Sequence, residues 1–94
     1  MMRFAPVMDA RELVAWNLLR LRAARGVARE VLAIDAKIGR TYLNRLECNL
    51  ENPSVAVLER LAQALEVEIV EFFAKPKPGA KTPPVLRKGR KLRR

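Results

Sequence analysis

Four polar side chains in the middle of the chain have types and spacings suited to binding nucleic acid. The four are Arg40, Thr41, Asn44 and Arg45. Their separations of one, three and one positions place them on one face of a helix with about 3.6 residues per turn. Arginine, threonine and asparagine donate hydrogen bonds to phosphates and base edges. The pattern therefore predicts a helix that displays a polar surface to a nucleic acid.

Two short helices joined by a tight turn are predicted to position these side chains. We expect the helices at about residues 28–36 and 40–48, with residues 37–39 between them. A connection this short forces the two helices to cross steeply. A close crossing requires a small side chain, and Ala33 provides one in the first of the two helices.

The inner face of the second of these helices is predicted from its apolar residues. Leu43 and Leu46 lie three positions apart and attach this helix to the core. Asn49 follows the helix and tolerates a positive φ better than most residues do. We therefore expect Asn49 to end the helix in the left-handed conformation, with the polar face pointing outward.

Three further helices are predicted around this pair, which makes the fold all-α with five helices. The first opens at Asp9, where Asp9 and Glu12 have the spacing of a capping box, and it stops at Gly26. The fourth follows Ser54, a favourable N-cap residue, and a short fifth helix is expected over residues 69–73. The apolar stripe of the fourth helix consists of Val55, Leu58, Leu61, Ala62 and Leu65.

The chain has 94 residues and a formal net charge of +9, and the whole excess lies at its C-terminal end. Residues 1–74 contain ten basic and ten acidic side chains, whereas residues 75–94 contain nine basic and no acidic ones. The last segment is rich in proline and poor in large apolar residues, so we expect a disordered basic tail. The predicted organisation is a flexible arm over residues 1–8, one domain over residues 9–74, and this tail.

Catalytic and metal chemistry have little support in the sequence. The chain has no histidine, and Cys48 is its single cysteine, so the usual zinc ligands and a base-activated nucleophile are missing. We predict a non-enzymatic protein without cofactor or metal, in which Cys48 is a small filler near a helix end. No apolar run approaches the roughly 20 residues of a membrane helix. We therefore expect a cytoplasmic protein.

The segment from about Leu18 to Phe73 resembles the phage repressor and Cro-like helix-turn-helix proteins, also called the XRE family. The shared sequences are LLRLRAARGV, REVLA, TYLNRLECN, NPS and LERLAQALEV. In proteins of this family the third helix enters the DNA major groove, and the start of the second lies against the backbone. The resemblance implies a compact five-helix domain that binds double-stranded DNA, often as a homodimer. It also implies a bacterial or phage-encoded protein associated with the nucleoid.

The resemblance also implies roles for individual residues. The residues expected to contact bases are Arg40, Thr41, Asn44 and Arg45, and those expected to contact phosphates are Arg29, Tyr42 and Lys37. Arg22 and Glu47 occupy the positions of a family arginine–glutamate pair whose role is structural.

Three residues differ from the usual family pattern. Lys37 stands where the family has a turn glycine, and a positive φ there costs a lysine roughly 1–2 kcal/mol. Gly39 replaces the usual serine or threonine N-cap of the third helix, at a loss of about a few tenths of a kcal/mol. Arg29 replaces the usual glutamine, which strengthens the attraction to phosphate.

The leading interpretation is a transcriptional regulator, acting as a repressor that occludes a promoter. One alternative is an antitoxin or restriction-system controller, which binds a protein partner through the fifth helix or the tail. Another is a helical adaptor that uses the same fold to bind protein only. The neighbours Phe72 and Phe73 point about 100° apart on a helix, so one of them is expected to be exposed as part of a dimer contact.

Overall fold

The computed structural model describes residues 8–77, which form four α-helices and one 3-10 segment. The helices are α1 (Ala10–Arg25), α2 (Arg29–Ala36), α3 (Arg40–Glu47) and α4 (Val55–Leu65), and the 3-10 segment is Ile69–Phe73. No strand occurs within residues 8–77. The all-α class is therefore confirmed for this part of the chain, and α2 and α3 lie within one residue of their predicted bounds.

The predicted fifth helix is wrong in type, because Ile69–Phe73 forms 3-10 turns. The Glu71 amide donates to the Glu68 carbonyl at 2.9 Å, and the Ala74 amide donates to the Glu71 carbonyl at 3.4 Å. A segment this short gains too few bonds to offset α-helix nucleation, and 3-10 bonding suits short runs. Most of the predicted arm and basic tail lies outside the described residues.

The N-terminal ends of α1 and α4 carry side-chain caps at the predicted residues. The Asp9 carboxylate accepts from the Glu12 amide at 2.9 Å, and the Glu12 carboxylate accepts from the Asp9 amide at 2.9 Å. These two bonds form the expected capping box. Ser54 Oγ accepts from the Val57 amide at 3.1 Å. Helix α3 begins after Gly39 without a side-chain cap.

All four α-helices end with the same backbone reversal, in which a left-handed residue is followed by an apolar one. The left-handed residues are Gly26 (φ 64°), Lys37 (φ 61°), Asn49 (φ 61°) and Glu66 (φ 60°). The amides of the next residues donate back into the helices, in the pairs Val27 to Arg22, Ile38 to Ala33, Leu50 to Arg45 and Val67 to Ala62. This is the bonding of the Schellman motif.

Three of these left-handed residues were predicted and one was not. The conformations of Gly26, Lys37 and Asn49 confirm the expectations from the sequence. Glu66 was not foreseen, because glutamate has no preference for positive φ. Three of the four apolar residues that follow pack against the core, whereas Leu50 is 56% exposed.

The core consists mainly of leucine side chains from the inward faces of the four helices. Leu18, Leu43 and Leu61 are fully buried, and Phe72 of the 3-10 segment is buried with them. This arrangement agrees with a composition rich in aliphatic residues and poor in aromatic ones. Phe73 is 42% exposed, which confirms that the two neighbouring phenylalanines diverge. Val55 was predicted to face the core but is exposed, because it is the first residue of α4 and precedes the buried turns.

A buried amide side chain, not singled out in the sequence, fastens the 3-10 segment to α1. Asn17 Nδ2 donates to the carbonyl oxygens of Phe72 at 3.0 Å and Ala74 at 2.8 Å. Asn17 Oδ1 accepts from Arg20 Nε at 2.8 Å, and Arg20 Nη2 lies 3.2 Å from Glu71 Oε1. Helix α1 thus satisfies carbonyl groups that a short segment cannot pair internally.

Replacing Lys37 with glycine is expected to raise the free energy of unfolding by up to about 1 kcal/mol. The change removes the strain of a left-handed residue with a Cβ atom, roughly 1–2 kcal/mol. It also makes the unfolded chain more flexible, which costs about 0.5–1 kcal/mol on folding. Urea denaturation measures the difference. Lys37→Ala, which keeps the Cβ atom, is the matched control and should gain nothing. An equal gain in both variants would contradict the explanation by strain.

Candidate nucleic-acid interface

Helix α2 is packed between α3 and α4, and its small residues are buried. Ala33 is 3% exposed and Ala36 is 1% exposed, in agreement with the predicted close crossing. The connection to α3 is held by the Ile38 amide, which donates to the Ala33 carbonyl at 3.0 Å. The tight turn therefore fixes the start of α3 relative to α2.

One face of α3 is exposed and polar, and the other is buried. The exposed residues are Arg40, Thr41, Asn44 and Arg45, and the buried ones are Leu43, Leu46 and Glu47. The fold thus brings the four residues predicted to contact bases together on one surface, which we call the α3 polar face. Both leucines belong to the core, which attaches α3 to the rest of the fold.

A buried carboxylate holds the C-terminal end of α3. Glu47 Oε2 accepts from Arg22 Nε at 2.6 Å, and Glu47 Oε1 accepts from Arg22 Nη2 at 3.1 Å. The two side chains are 1% and 2% exposed. Arg22 Nη1 also donates to the Val27 carbonyl at 3.1 Å. The bidentate pair joins the end of α1 to the end of α3 in a defined orientation.

Arg29 binds the same carboxylate, a contact that was not predicted. Arg29 Nε donates to Glu47 Oε1 at 2.9 Å, and its side chain is 21% exposed. Glu47 lies 25 residues from Arg22 and 18 from Arg29, so no local pattern relates the three. The expected phosphate contact of Arg29 stays a prediction, for which its Nη groups provide further donors.

Both arginines of the α3 polar face lie near a carboxylate from a neighbouring segment. Arg40 Nη1 is 3.6 Å from Glu30 Oε2, an ion pair longer than a hydrogen bond. Arg45 Nε donates to Glu51 Oε2 at 2.7 Å. Neither partner was predicted, because Glu30 lies on the preceding helix and Glu51 lies beyond a turn.

Other residues in and beside α3 differ in their exposure to solvent. Tyr42 is half-buried and packs against the core, whereas Lys37 is exposed at the turn. Cys48 was expected to fill space near the helix end but is exposed. Its neighbour Glu47 points inward, and successive residues on a helix point about 100° apart. The phosphate contacts expected of Tyr42 and Lys37 stay predictions.

A contact from α4 stabilises the end of α2. Arg60 Nε donates to the Ala36 carbonyl at 3.0 Å. Carbonyl groups at a helix C-terminus have no partner within the helix and carry partial negative charge, so an arginine there is favourable. No local pattern predicts this contact, because the two residues meet only when α4 packs on α2.

Two acidic residues beside or within the 3-10 segment pair with arginines of α1. Glu66 pairs with Arg25 and Glu71 pairs with Arg20. Within residues 8–77, no group of three or more histidine, cysteine, aspartate or glutamate side chains is arranged to hold a metal ion. None of the helices in that range is long and apolar enough to cross a membrane.

Comparison with known proteins identifies the family of this chain. A family model described as a helix-turn-helix domain matches residues 14–72. The chain belongs to the helix-turn-helix family. The matched residues run from α1 to the 3-10 segment, so the match covers most of the described helix-turn-helix domain. The resemblance inferred from the sequence is thereby confirmed.

Individual helix-turn-helix proteins are similar to this chain in sequence, and solved structures among them are also similar in fold. The uncharacterized HTH-type transcriptional regulator y4dJ of Sinorhizobium fredii is 42% identical over 65 residues, which cover 69% of this chain and 84% of that protein. The restriction-modification controller protein C.AhdI from Aeromonas hydrophila is 33% identical with a TM-score of 0.63, covering 65% of this chain and 92% of its own. The controller protein C.Esp1396I, solved as a tetramer with its natural 35 base-pair operator, is 30% identical with a TM-score of 0.65, covering 70% of this chain and 87% of its own.

Replacing Glu47 with alanine is expected to lower the free energy of unfolding by about 3–5 kcal/mol, because it leaves the buried Arg22 without a counter-charge. Urea denaturation measures the loss. Glu66→Ala is the matched control, since it removes a carboxylate from an exposed arginine pair and should cost about 1 kcal/mol or less. Equal stabilities of the two variants would refute the structural role of Glu47.

Proposed function

We propose that this helix-turn-helix protein is a sequence-specific DNA-binding regulator of transcription that inserts α3 into the major groove. The α3 polar face carries the proposal, because it is exposed while the opposite face of the same helix is buried. The major groove of B-DNA is about 12 Å wide and admits an α-helix. An arginine pairs there with guanine and an asparagine with adenine. Arg40, Thr41, Asn44 and Arg45 are the proposed base-contacting residues.

Phosphate contacts on either side of α3 complete the proposed complex. Lys37 is exposed at the turn before α3, and Arg29 lies at the start of α2, which carries the partial positive charge of a helix N-terminus. Tyr42 has its hydroxyl as a further donor. Such contacts set the position of the helix on the duplex without reading its sequence.

Repression by occupying a promoter is the regulatory role we propose. A restriction-modification controller is the second candidate, and the likeness to C.AhdI and C.Esp1396I favours it. Both candidates require the same DNA-binding surface, the α3 polar face. They differ in the genes that lie beside the bound site, so mapping that site on a genome separates them.

We also propose that the protein binds DNA as a homodimer. Val70 is 65% exposed and Phe73 is 42% exposed, and both lie on the 3-10 segment, outside the α3 polar face. A two-fold dimer recognises an inverted repeat. Selection of bound sites from random duplex DNA therefore tests the dimer together with the specificity, and we expect an inverted repeat.

Replacing Arg45 with alanine is expected to weaken binding to the selected site by about 1–3 kcal/mol, with the loss confined to particular base pairs. Competition binding with single base-pair variants of the site measures this loss. Lys37→Ala is the matched control, because loss of a phosphate contact should weaken all sequences equally.

The same measurement separates the rival functions. If Arg45→Ala weakens binding to all DNA sequences equally, Arg45 contacts a phosphate and not a base. A protein that selects no site and binds no duplex at low salt would overturn the DNA-binding proposal and favour an adaptor that binds protein.

Removal of residues 75–94 is expected to reduce the salt dependence of DNA binding while leaving the selected site unchanged. The segment holds nine basic side chains and no acidic ones, and each phosphate neutralised contributes about 0.9 to the slope of log K against log salt. Binding measured at several salt concentrations gives the slope. A full-length variant with the nine basic residues replaced by glutamine should behave like the truncated one. Unchanged slopes would show that the segment takes no part in binding.

A further inference from the structure

The turn after α3 folds the chain back over the last turn of that helix. Asn49 adopts a φ of 61°, and the Leu50 amide then donates to the Arg45 carbonyl at 2.8 Å. The chain is therefore anchored to the backbone of Arg45 immediately before Glu51. This anchoring places the Glu51 carboxylate beside the Arg45 side chain.

The contacts from this turn occupy one edge of the Arg45 guanidinium. Nε donates to Glu51 Oε2 at 2.7 Å, within the range of short, charge-assisted hydrogen bonds. Nη2 lies 3.4 Å from the Leu50 carbonyl oxygen. Nε and Nη2 share one edge of the planar group, whereas Nη1 and Nη2 form the adjoining edge. The second edge is therefore directed away from Glu51.

A guanidinium held by its Nε edge is suited to read guanine with its other edge. Guanine presents the acceptors O6 and N7 in the major groove, and two parallel N–H groups match them. The Arg45 side chain is 48% exposed and belongs to the α3 polar face. We infer that Glu51 is a positioning residue for base recognition, which orients Arg45 so that Nη1 and Nη2 contact a guanine. This inference rests on the proposed DNA-binding function and extends its specificity to a residue outside α3.

The pair is better explained by orientation than by stability. An exposed arginine–carboxylate pair contributes little to folding. A long arginine side chain, however, loses rotamer freedom when it binds, and holding it in the bound geometry beforehand reduces that loss. The same carboxylate repels phosphates, which weakens binding. In the proposed complex, its favourable contribution is the orientation of Arg45.

Glu51→Ala tests this inference against the selected DNA site. We expect the preference for guanine over other bases at the pair read by Arg45 to fall by about two- to tenfold, the value of one ordered side chain. Preferences at other base pairs should not change. Glu51→Gln keeps an acceptor oxygen at the same reach and should retain much of the preference. Competition binding with base-pair variants of the site gives all of these values.

Two further variants make the measurement specific. Glu66→Ala also removes a carboxylate from an exposed arginine pair and should leave every base preference unchanged. In the Arg45→Ala background, Glu51→Ala should have no further effect on the guanine preference. Urea denaturation of each variant shows whether it is folded.

The outcomes distinguish this inference from the proposed function. If Glu51→Ala strengthens binding to all sequences alike without loss of guanine preference, Glu51 acts only by repulsion and the inference is overturned. If Arg45→Ala alters no base preference, the inference also fails, while DNA binding through the other residues of the α3 polar face stands. A protein that selects no site overturns both.

Discussion

The buried Glu47 carboxylate is the interaction on which the placement of α3 depends. A charge removed from water must be paired, and Glu47 is paired with Arg22 and Arg29 at distances of 2.6–3.1 Å. These residues lie on three different helices, so one carboxylate joins α1, α2 and α3. Such a cluster adds little net stability, because the desolvation of its charges offsets their attraction. Its effect is geometric, since the bidentate bonds are satisfied in only one arrangement of the helices.

The abrupt helix endings make this arrangement possible in a small domain. Helices α2 and α3 have 8 residues each, too short to be stable alone, so they depend on tight reversals that return the chain to the core. The left-handed turn at Lys37 sets the crossing of α2 and α3. The one at Asn49 carries the chain to Glu51 and from there toward α4. Of the apolar residues that follow the four helix endings, three pack against the core.

Charge is divided between the domain and the end of the chain. Residues 1–74 are neutral by count, and the arginines of the α3 polar face lie near the carboxylates of Glu30 and Glu51. In the function proposed here, these carboxylates weaken the attraction of Arg40 and Arg45 to phosphates, which favours discrimination between base sequences. In the function proposed here, the basic residues 75–94 add general attraction to a polyanion. In that function, residues 75–94 contribute to affinity and the α3 polar face carries the specificity.

The sequence by itself determined the helical class, the positions of α1 to α4, the caps at Asp9 and Ser54, and the shared face of α3. These features follow from local periodicity and from the backbone preferences of single residues. The prediction of a fifth α-helix was wrong, because the sequence of five residues between turns does not decide between α and 3-10 hydrogen bonding. Only the tertiary structure decided the contacts of Asn17, Arg29 and Arg60. Each joins segments whose distance depends on how the helices pack, and no spacing along the chain encodes that distance.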